Sequence, residues 1–195
     1  MRLRHLAMTL SSLPPHPQTD VELEQYATEG DFAARWIAEI VQIGDLEPQT
    51  RVVDLGAGNG ILGIGCFIAG ANSVLLVEKD ERCHHTFEGV EWLIGDVSEW
   101  KGNDVDLVIM NPPWGVQTNK ADRPFLDAAF CSDAGVVYLL HSANAKHIEG
   151  IAKSYDWEGE IILSGNFRIP ALYDHHNASS GGTDVSIWRF VRSPK

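Results

Sequence analysis

Asn111, Pro112, Pro113 and Trp114 follow directly on the apolar run Val105, Leu107, Val108, Ile109 and Met110, and their types outline a small reaction centre. Each proline fixes its own φ at about −65° and denies helix to the residue before it. The pair therefore holds the Asn111 carboxamide and the Pro112 carbonyl in one orientation. Both groups are hydrogen-bond acceptors, and Trp114 adds an aromatic plane next to them. Two acceptors can grip an –NH2 group on a flat base while the ring stacks on its face, an arrangement suited to methylating an exocyclic amine. Taken alone, the tetrapeptide also reads as a proline-stiffened loop with a core tryptophan. The residues elsewhere in the chain decide between the two readings.

A second constellation is Asp54-Leu-Gly-Ala-Gly-Asn-Gly-Ile-Leu62. Gly56, Gly58 and Gly60 allow the backbone to approach a ligand at a tight strand-to-helix turn, and the helix that follows offers free N–H groups. Ile61 stands where a dinucleotide fingerprint needs its third glycine, so that fingerprint is absent. Asp54, two residues before the first glycine, suits a ligand with a cationic amino-acid end, as S-adenosylmethionine has. Glu78 ends the next apolar run about 20 residues beyond the turn, where an acid accepts from both ribose hydroxyls in mononucleotide-binding sheets. Asp80 opens a helix and reads as its cap. Asp96 closes a short third strand, from which its carboxylate can reach an adenine amino group. Gln25, Tyr26 and Thr28 lie just before a helix, where turn and capping chemistry is the plainer reading. Lys120 and Arg123 are the cations of a polar loop after Trp114 that is long enough to gate a substrate. His141 ends a strand, where it can serve as a hydrogen-bonder or a base. Tyr173, His175 and His176 sit in a late loop and suit substrate contact. Paired histidines without nearby cysteines make a poor zinc motif, and Cys66, Cys83 and Cys131 lack metal or disulfide spacing, so no metal is expected.

The elements that must position these groups alternate strand and helix. Residues 51–55, 73–77, 91–95, 105–110 and 136–140 read as buried strands, and 160–164 with 185–191 as an antiparallel pair at the sheet edge. The expected fold is therefore α/β, a doubly wound, mostly parallel seven-stranded sheet with an antiparallel edge strand. Helices are expected around Phe32, Trp36, Ile37, Ile40 and Val41, capped by Asp31 and ended by Gly44, and over 125–130 and 145–155. Leu3, Leu6 and Leu10 mark a short amphipathic segment before the breaker Pro14-Pro-His-Pro17, which reads as a separate N-terminal helical arm over 1–19, with the main domain over 20–195. Asp54, Glu78, Asp96 and Asn111 all fall at the carboxyl ends of strands, the edge at which open α/β sheets bind ligands.

At 195 residues the chain fits one domain with such an addition. No apolar run approaches the roughly 20 residues of a membrane span, and the N-terminus has no clean apolar signal core, so a cytoplasmic protein is expected. The net charge of −12 disfavours binding nucleic acid by bulk electrostatics. A local patch would have to supply phosphate contacts, and Arg2, Arg4, Lys120, Arg123 and Arg168 are its candidates. A partner subunit is the other source.

The succession Leu23-Glu-Gln-Tyr-Ala-Thr28, Asp54 to Leu62, Glu78, Gly95-Asp-Val97, Met110-Asn-Pro-Pro-Trp-Gly115, Val137-Tyr-Leu-Leu-His-Ser142 and Tyr173 to His176 resembles the small archaeal and eukaryotic ribosomal-RNA adenine-N6 methyltransferases of the methyltransferase-like-five type. The resemblance spans residues 20–192. It implies a Rossmann-like class I fold, S-adenosylmethionine as cofactor, and RNA as substrate. It also implies a cofactor pocket of Gln25, Tyr26, Thr28, Asp54, Gly56, Gly58, Gly60, Glu78, Asp96 and Asn111, with 111–114 as the catalytic turn. Ala27 replaces the family's usual proline and Trp114 its usual phenylalanine; neither change removes a required group. Eukaryotic members of this family pair with a small zinc-binding activator subunit, which makes such a partner an expectation here. Two other functions fit part of the pattern. One is a protein glutamine-amide methyltransferase, for which residues 1–50 leave little room for a substrate domain. The other is a silent S-adenosylmethionine-binding module, which has no need of two acceptors and a stacking ring.

Overall fold

A computed structural model describes residues 2–15, 28–114, 120–168 and 182–193, with backbone alone at 167, 168 and 182. Five parallel strands, β1 (Arg51–Leu55), β2 (Ser73–Glu78), β3 (Val90–Ile94), β4 (Leu107–Met110) and β5 (Val136–Ser142), join β6 (Trp157–Arg168) and β7 (Gly182–Arg192) in one sheet of order β3-β2-β1-β4-β5-β7-β6. The strand that runs against the rest is β7, which is antiparallel to both β5 and β6 and lies one position in from the edge. β6 and β7 are longer than their apolar runs because the backbone ladder continues past the buried residues, with a register shift between Ile161 and Leu163.

Side chains alternate across each strand, so the sheet carries two separate cores. Val52, Leu107, Ile109, Tyr138 and Leu140 pack with α1 (Leu3–Ser11), α2 (Gly30–Ile43) and α3 (Ile61–Ala69). Val53, Leu55, Val108, Met110, Val137 and Leu139 pack with α4 (Arg123–Cys131) and α5 (His147–Ser154) on the other face. Asp45, just after α2, accepts from Tyr138 Oη at 2.6 Å and Arg189 Nε at 2.7 Å, which ties that helix to β5 and β7.

Several local expectations change. α1 is packed into the core and does not stand apart as an arm: Leu6, Ala7 and Leu10 are buried, and a Cβ on Gly30 would come within 2.9 Å of the Ala7 carbonyl. Leu3, by contrast, is exposed. Burying two leucines contributes about 1.5–3 kcal/mol each, so the helix gains more from docking than from staying free. α2 begins at Gly30 and is not capped by Asp31, which lies in its first turn without a capping bond from the preceding Glu29. Val41 is exposed, because the apolar stripe narrows toward the helix end. Gly44 does terminate α2, at φ 94°.

Candidate active site

The glycine turn joins β1 to α3. Gly56, Gly58 and Gly60 all take positive φ, 71°, 55° and 79°, a conformation that a side chain would strain. Gly56 and Ala57 donate their N–H groups to the Val77 carbonyl at 2.9 and 3.1 Å, fastening the turn to the end of β2. There Glu78, 7% exposed, accepts from Gly58 N through Oε2 and from Asp80 N through Oε1, both at 2.9 Å. Its carboxylate is oriented by two backbone donors and keeps acceptor capacity for two more. Asp80 itself caps the short turn Glu81–Cys83.

Asp54 is 1% exposed. Its Oδ2 accepts from Gly63 N at 2.8 Å, while Oδ1 is buried with no hydrogen-bond partner among the described residues. Gly63 permits this approach, since a Cβ there would sit 3.1 Å from the Asp54 Cβ. Burial and the nearby Glu78 carboxylate push the Asp54 acid up to about 7. An orphaned buried acceptor is costly, and it is the feature a cationic ligand would relieve. Asp96 is used differently: Oδ1 accepts from Ser98 N at 3.0 Å and Ser98 Oγ at 2.7 Å, in a capping box with Glu99. Those hydrogen bonds hold it below the usual carboxylate range.

At the end of β4, Asn111 Nδ2 donates to Thr28 Oγ1 at 3.2 Å, and the Thr28 residue is buried. That bond anchors the carboxamide, and in this orientation Oδ1 is left as an acceptor without a protein donor among the described residues. Trp114 is 8% exposed and stacks on His141, with ring centroids 5.9 Å apart and planes 29° apart. His141 lies within β5 and is 2% exposed, so it meets Trp114 and not an open cleft. Lys120 is exposed, at φ 62°, and Arg123 is held by Asp127 through a 2.7 Å bond along its own helix. Gln25, Tyr26, Tyr173, His175 and His176 lie outside the described residues, as does the loop 115–119.

Two groups near this turn had no local signal. Asp122 and His147 converge with His141, their Oδ2 and imidazole nitrogens lying within 4.8 Å of one another. Asp122 reads as one more polar loop residue and His147 as the start of an amphipathic helix. Only the fold brings them together.

A doubly wound sheet of order 3-2-1-4-5-7-6, with acids and a glycine turn at its carboxyl edge, defines the class I methyltransferases. No family model matches the chain. It is 33% identical to an uncharacterized protein of Methanocaldococcus jannaschii over 98% of this chain and 95% of that protein. It is 30% identical to the rRNA N6-adenosine-methyltransferase Mettl5 of Drosophila melanogaster over 97% and 96%. The structure superposes on that of a candidate RNA methyltransferase of Pyrococcus horikoshii with a TM-score of 0.87 and 34% identity, covering 99% of each chain. The chain belongs to the Mettl5 family of rRNA N6-adenosine methyltransferases.

Proposed function

We propose that this chain transfers a methyl group from S-adenosylmethionine to the exocyclic N6 of an adenine in RNA, with ribosomal RNA as the substrate. The observation that carries the reading is the Thr28–Asn111 hydrogen bond, which anchors the carboxamide at the strand end beside the glycine turn with Oδ1 directed away from Thr28 as an acceptor. Family membership supports both the cofactor and the substrate class.

The residues present fit the cofactor. The Asp54 Oδ1 atom lacks a donor among the described residues, the Glu78 carboxylate is pre-oriented by Gly58 and Asp80, and the turn carries no side chain at its three positive-φ glycines. Asp54 would face the cationic amino-acid end and Glu78 the ribose hydroxyls, with Gln25, Tyr26, Thr28 and Asp96 completing the pocket. When bound, the cofactor supplies an electrophilic methyl on a sulfonium. The chain's own work is on the amine. An aniline-like nitrogen is a poor nucleophile because its lone pair is delocalised into the ring. Asn111 Oδ1 and the Pro112 carbonyl accept its two N–H bonds, favouring a lone pair available for attack, and a proton leaves afterwards. Pro113 holds the turn, and Trp114 supplies the apolar plane the extruded base meets. Lys120, Arg123, Tyr173, His175 and His176 are proposed substrate contacts.

The net charge of −12 means that phosphate affinity comes from local cations or from another subunit. We extend the proposal to a small zinc-binding activator subunit as that partner. No described helix is long and apolar enough to cross a membrane. The cytoplasm is the proposed compartment, in keeping with three scattered cysteines, Cys66, Cys83 and Cys131, that have no disulfide spacing. The test is incubation with methyl-labelled S-adenosylmethionine and either ribosomal RNA or total protein, followed by nucleoside analysis. Label in N6-methyladenosine is expected; label in protein glutamine instead, or in neither, would overturn the reading.

A further inference from the structure

Asp122 is the N-cap of α4, yet its side chain makes no capping bond to that helix. An N-cap aspartate ordinarily accepts from the backbone N–H groups of the second or third helical residue. Here Pro124 occupies the second position and has no N–H, and Phe125 N donates to the Asp122 backbone carbonyl at 3.1 Å. The carboxylate is thereby released from capping, and it is 5% exposed. It turns to two imidazoles. His147 Nε2 lies 2.6 Å from Asp122 Oδ2, and His141 Nε2 lies 3.4 Å from the same oxygen. The two rings stand 5.5 Å apart at 83°: His147, on α5, hydrogen-bonds that oxygen, while His141, on β5, lies in ion-pair range of it with neither ring nitrogen hydrogen-bonded among the described residues. Burial alone would raise the Asp122 acid, but His141 and His147 outweigh it and hold the carboxyl below the usual range.

Such a trio can be a metal site, or a clamp in which the hydrogen-bonded Asp122–His147 pair packs against His141. The short distance decides. At bond lengths of about 2.0–2.1 Å, ligand atoms 2.6 Å apart would subtend about 80° at an ion, far inside the tetrahedral angle of about 109°. A separation of 2.6 Å is that of a charge-assisted hydrogen bond. The clamp also has a direction. Its inner member, His141, is 2% exposed and carries Trp114 on its face, whereas its outer member, His147, has a side chain 49% exposed.

We infer that Asp122 and His147 are positioning residues for the methyl-transfer turn: together they clamp His141, the imidazole on which Trp114 stacks, and so set the indole plane that the target base meets. This inference rests on the function proposed above. Neither residue touches the reacting atoms. Asp122 and His147 pack against the edge of the His141 ring, so truncating either removes that support, and the indole stacked on the ring shifts with it. Asn111 and the glycine turn are held by other partners, Thr28 and Val77, so cofactor binding stays independent of the clamp.

The test uses the full chain labelled with fluorotryptophan, in which the Trp114 resonance is assigned among the six tryptophans by its loss in Trp114→Phe. His147→Ala, at a half-exposed site, and Asp122→Asn should each shift or broaden the Trp114 fluorine signal. Each should also lower kcat on RNA by about tenfold, with the S-adenosylmethionine Kd within about twofold of wild type. His147→Gln, which keeps a donor for Asp122, should recover much of both. If Asp122→Asn fails to fold, His147→Ala carries the test. An unmoved Trp114 signal, or a moved signal with wild-type RNA kinetics, would overturn the clamp. Stoichiometric Zn2+ binding that disappears in His147→Ala would also overturn it, in favour of a metal site. If the wild-type chain does not methylate RNA, the proposed function fails, whereas the fluorine measurement still judges the clamp on its own.

Discussion

Replacing Asp54 with asparagine removes a carboxylate whose ionisation the fold opposes. Asp54 is fully buried, and its acid lies at about 7 against an ordinary 3.8, raised by burial and then by Glu78. The raised value favours the protonated form in the folded chain. Stability from this group is thus present in full below the ordinary value and is lost as pH rises through about 7. A shift of about three units corresponds to about 4 kcal/mol, an upper figure because a buried site relaxes when it ionises. Asparagine keeps the oxygen that accepts from Gly63 and stays neutral at every pH. Chemical denaturation of the cofactor-free proteins, from about pH 5 to about pH 8.5, should show Asp54→Asn gaining on wild type as pH rises, because wild type loses stability between the ordinary value and about 7. At the alkaline end Asp54→Asn should be more stable by at least about 1–2 kcal/mol, or about 2–8 °C in Tm for a domain of this size. Taking the difference between the two proteins cancels every contribution common to both. Cofactor affinity should move the other way, because a cationic ligand prefers the ionised acid. Wild-type affinity should rise with pH and level off above about 7, releasing a proton on binding in the acidic part of the range, while Asp54→Asn binds weakly and loses this component. A stability difference between the two proteins that does not change with pH would refute the reasoning.

Glu78→Ala strips the acceptor from Gly58 N and Asp80 N and should weaken S-adenosylmethionine binding by about 1.5–3 kcal/mol in titration calorimetry; unchanged affinity would remove Glu78 from the pocket. Asn111→Ala should keep cofactor affinity and lower turnover by at least about tenfold, and equal methylation rates would reject the catalytic turn. Thr28→Val, which deletes the acceptor for Asn111 Nδ2, should lower turnover less than Asn111→Ala while leaving the fold intact by circular dichroism. Leu10→Ala should cost about 2–5 kcal/mol of stability because α1 is core, and a loss below about 0.5 kcal/mol would show the helix to be a loose arm after all. For the same reason, the role of the N-terminal cations is better read from Arg2→Glu with Arg4→Glu than from deletion. The charge-reversed protein should bind RNA more weakly with a flatter salt dependence.

The strand ends were legible in the sequence because a buried parallel strand is an unbroken apolar run and a polar residue or glycine must stop it. Asp54, Glu78, Asp96 and Asn111 were placed by that rule, and the glycine turn by the need for positive φ. The Asn-Pro-Pro-Trp turn was legible for a similar reason, since proline restricts backbone locally and needs no partner to do so. What tertiary structure alone decided depends on residues far apart in the chain. α1 looked like an arm because its breaker follows at once, yet the gap left by Gly30 and Gly65 lets Leu10 reach the α2–α3 seam. Asp96 has the same residue type and strand-end position as Glu78, but one carboxylate turns back to cap its own chain while the other orients the glycine turn, and strand-end position does not distinguish them. Thr28 and Asn111 are 83 residues apart, and Asp122 and His147 are 25 apart, with no shared periodicity. A hydrogen bond between such groups exists only after the sheet has ordered its strands, because side-chain chemistry sets what can bond and topology sets what can meet.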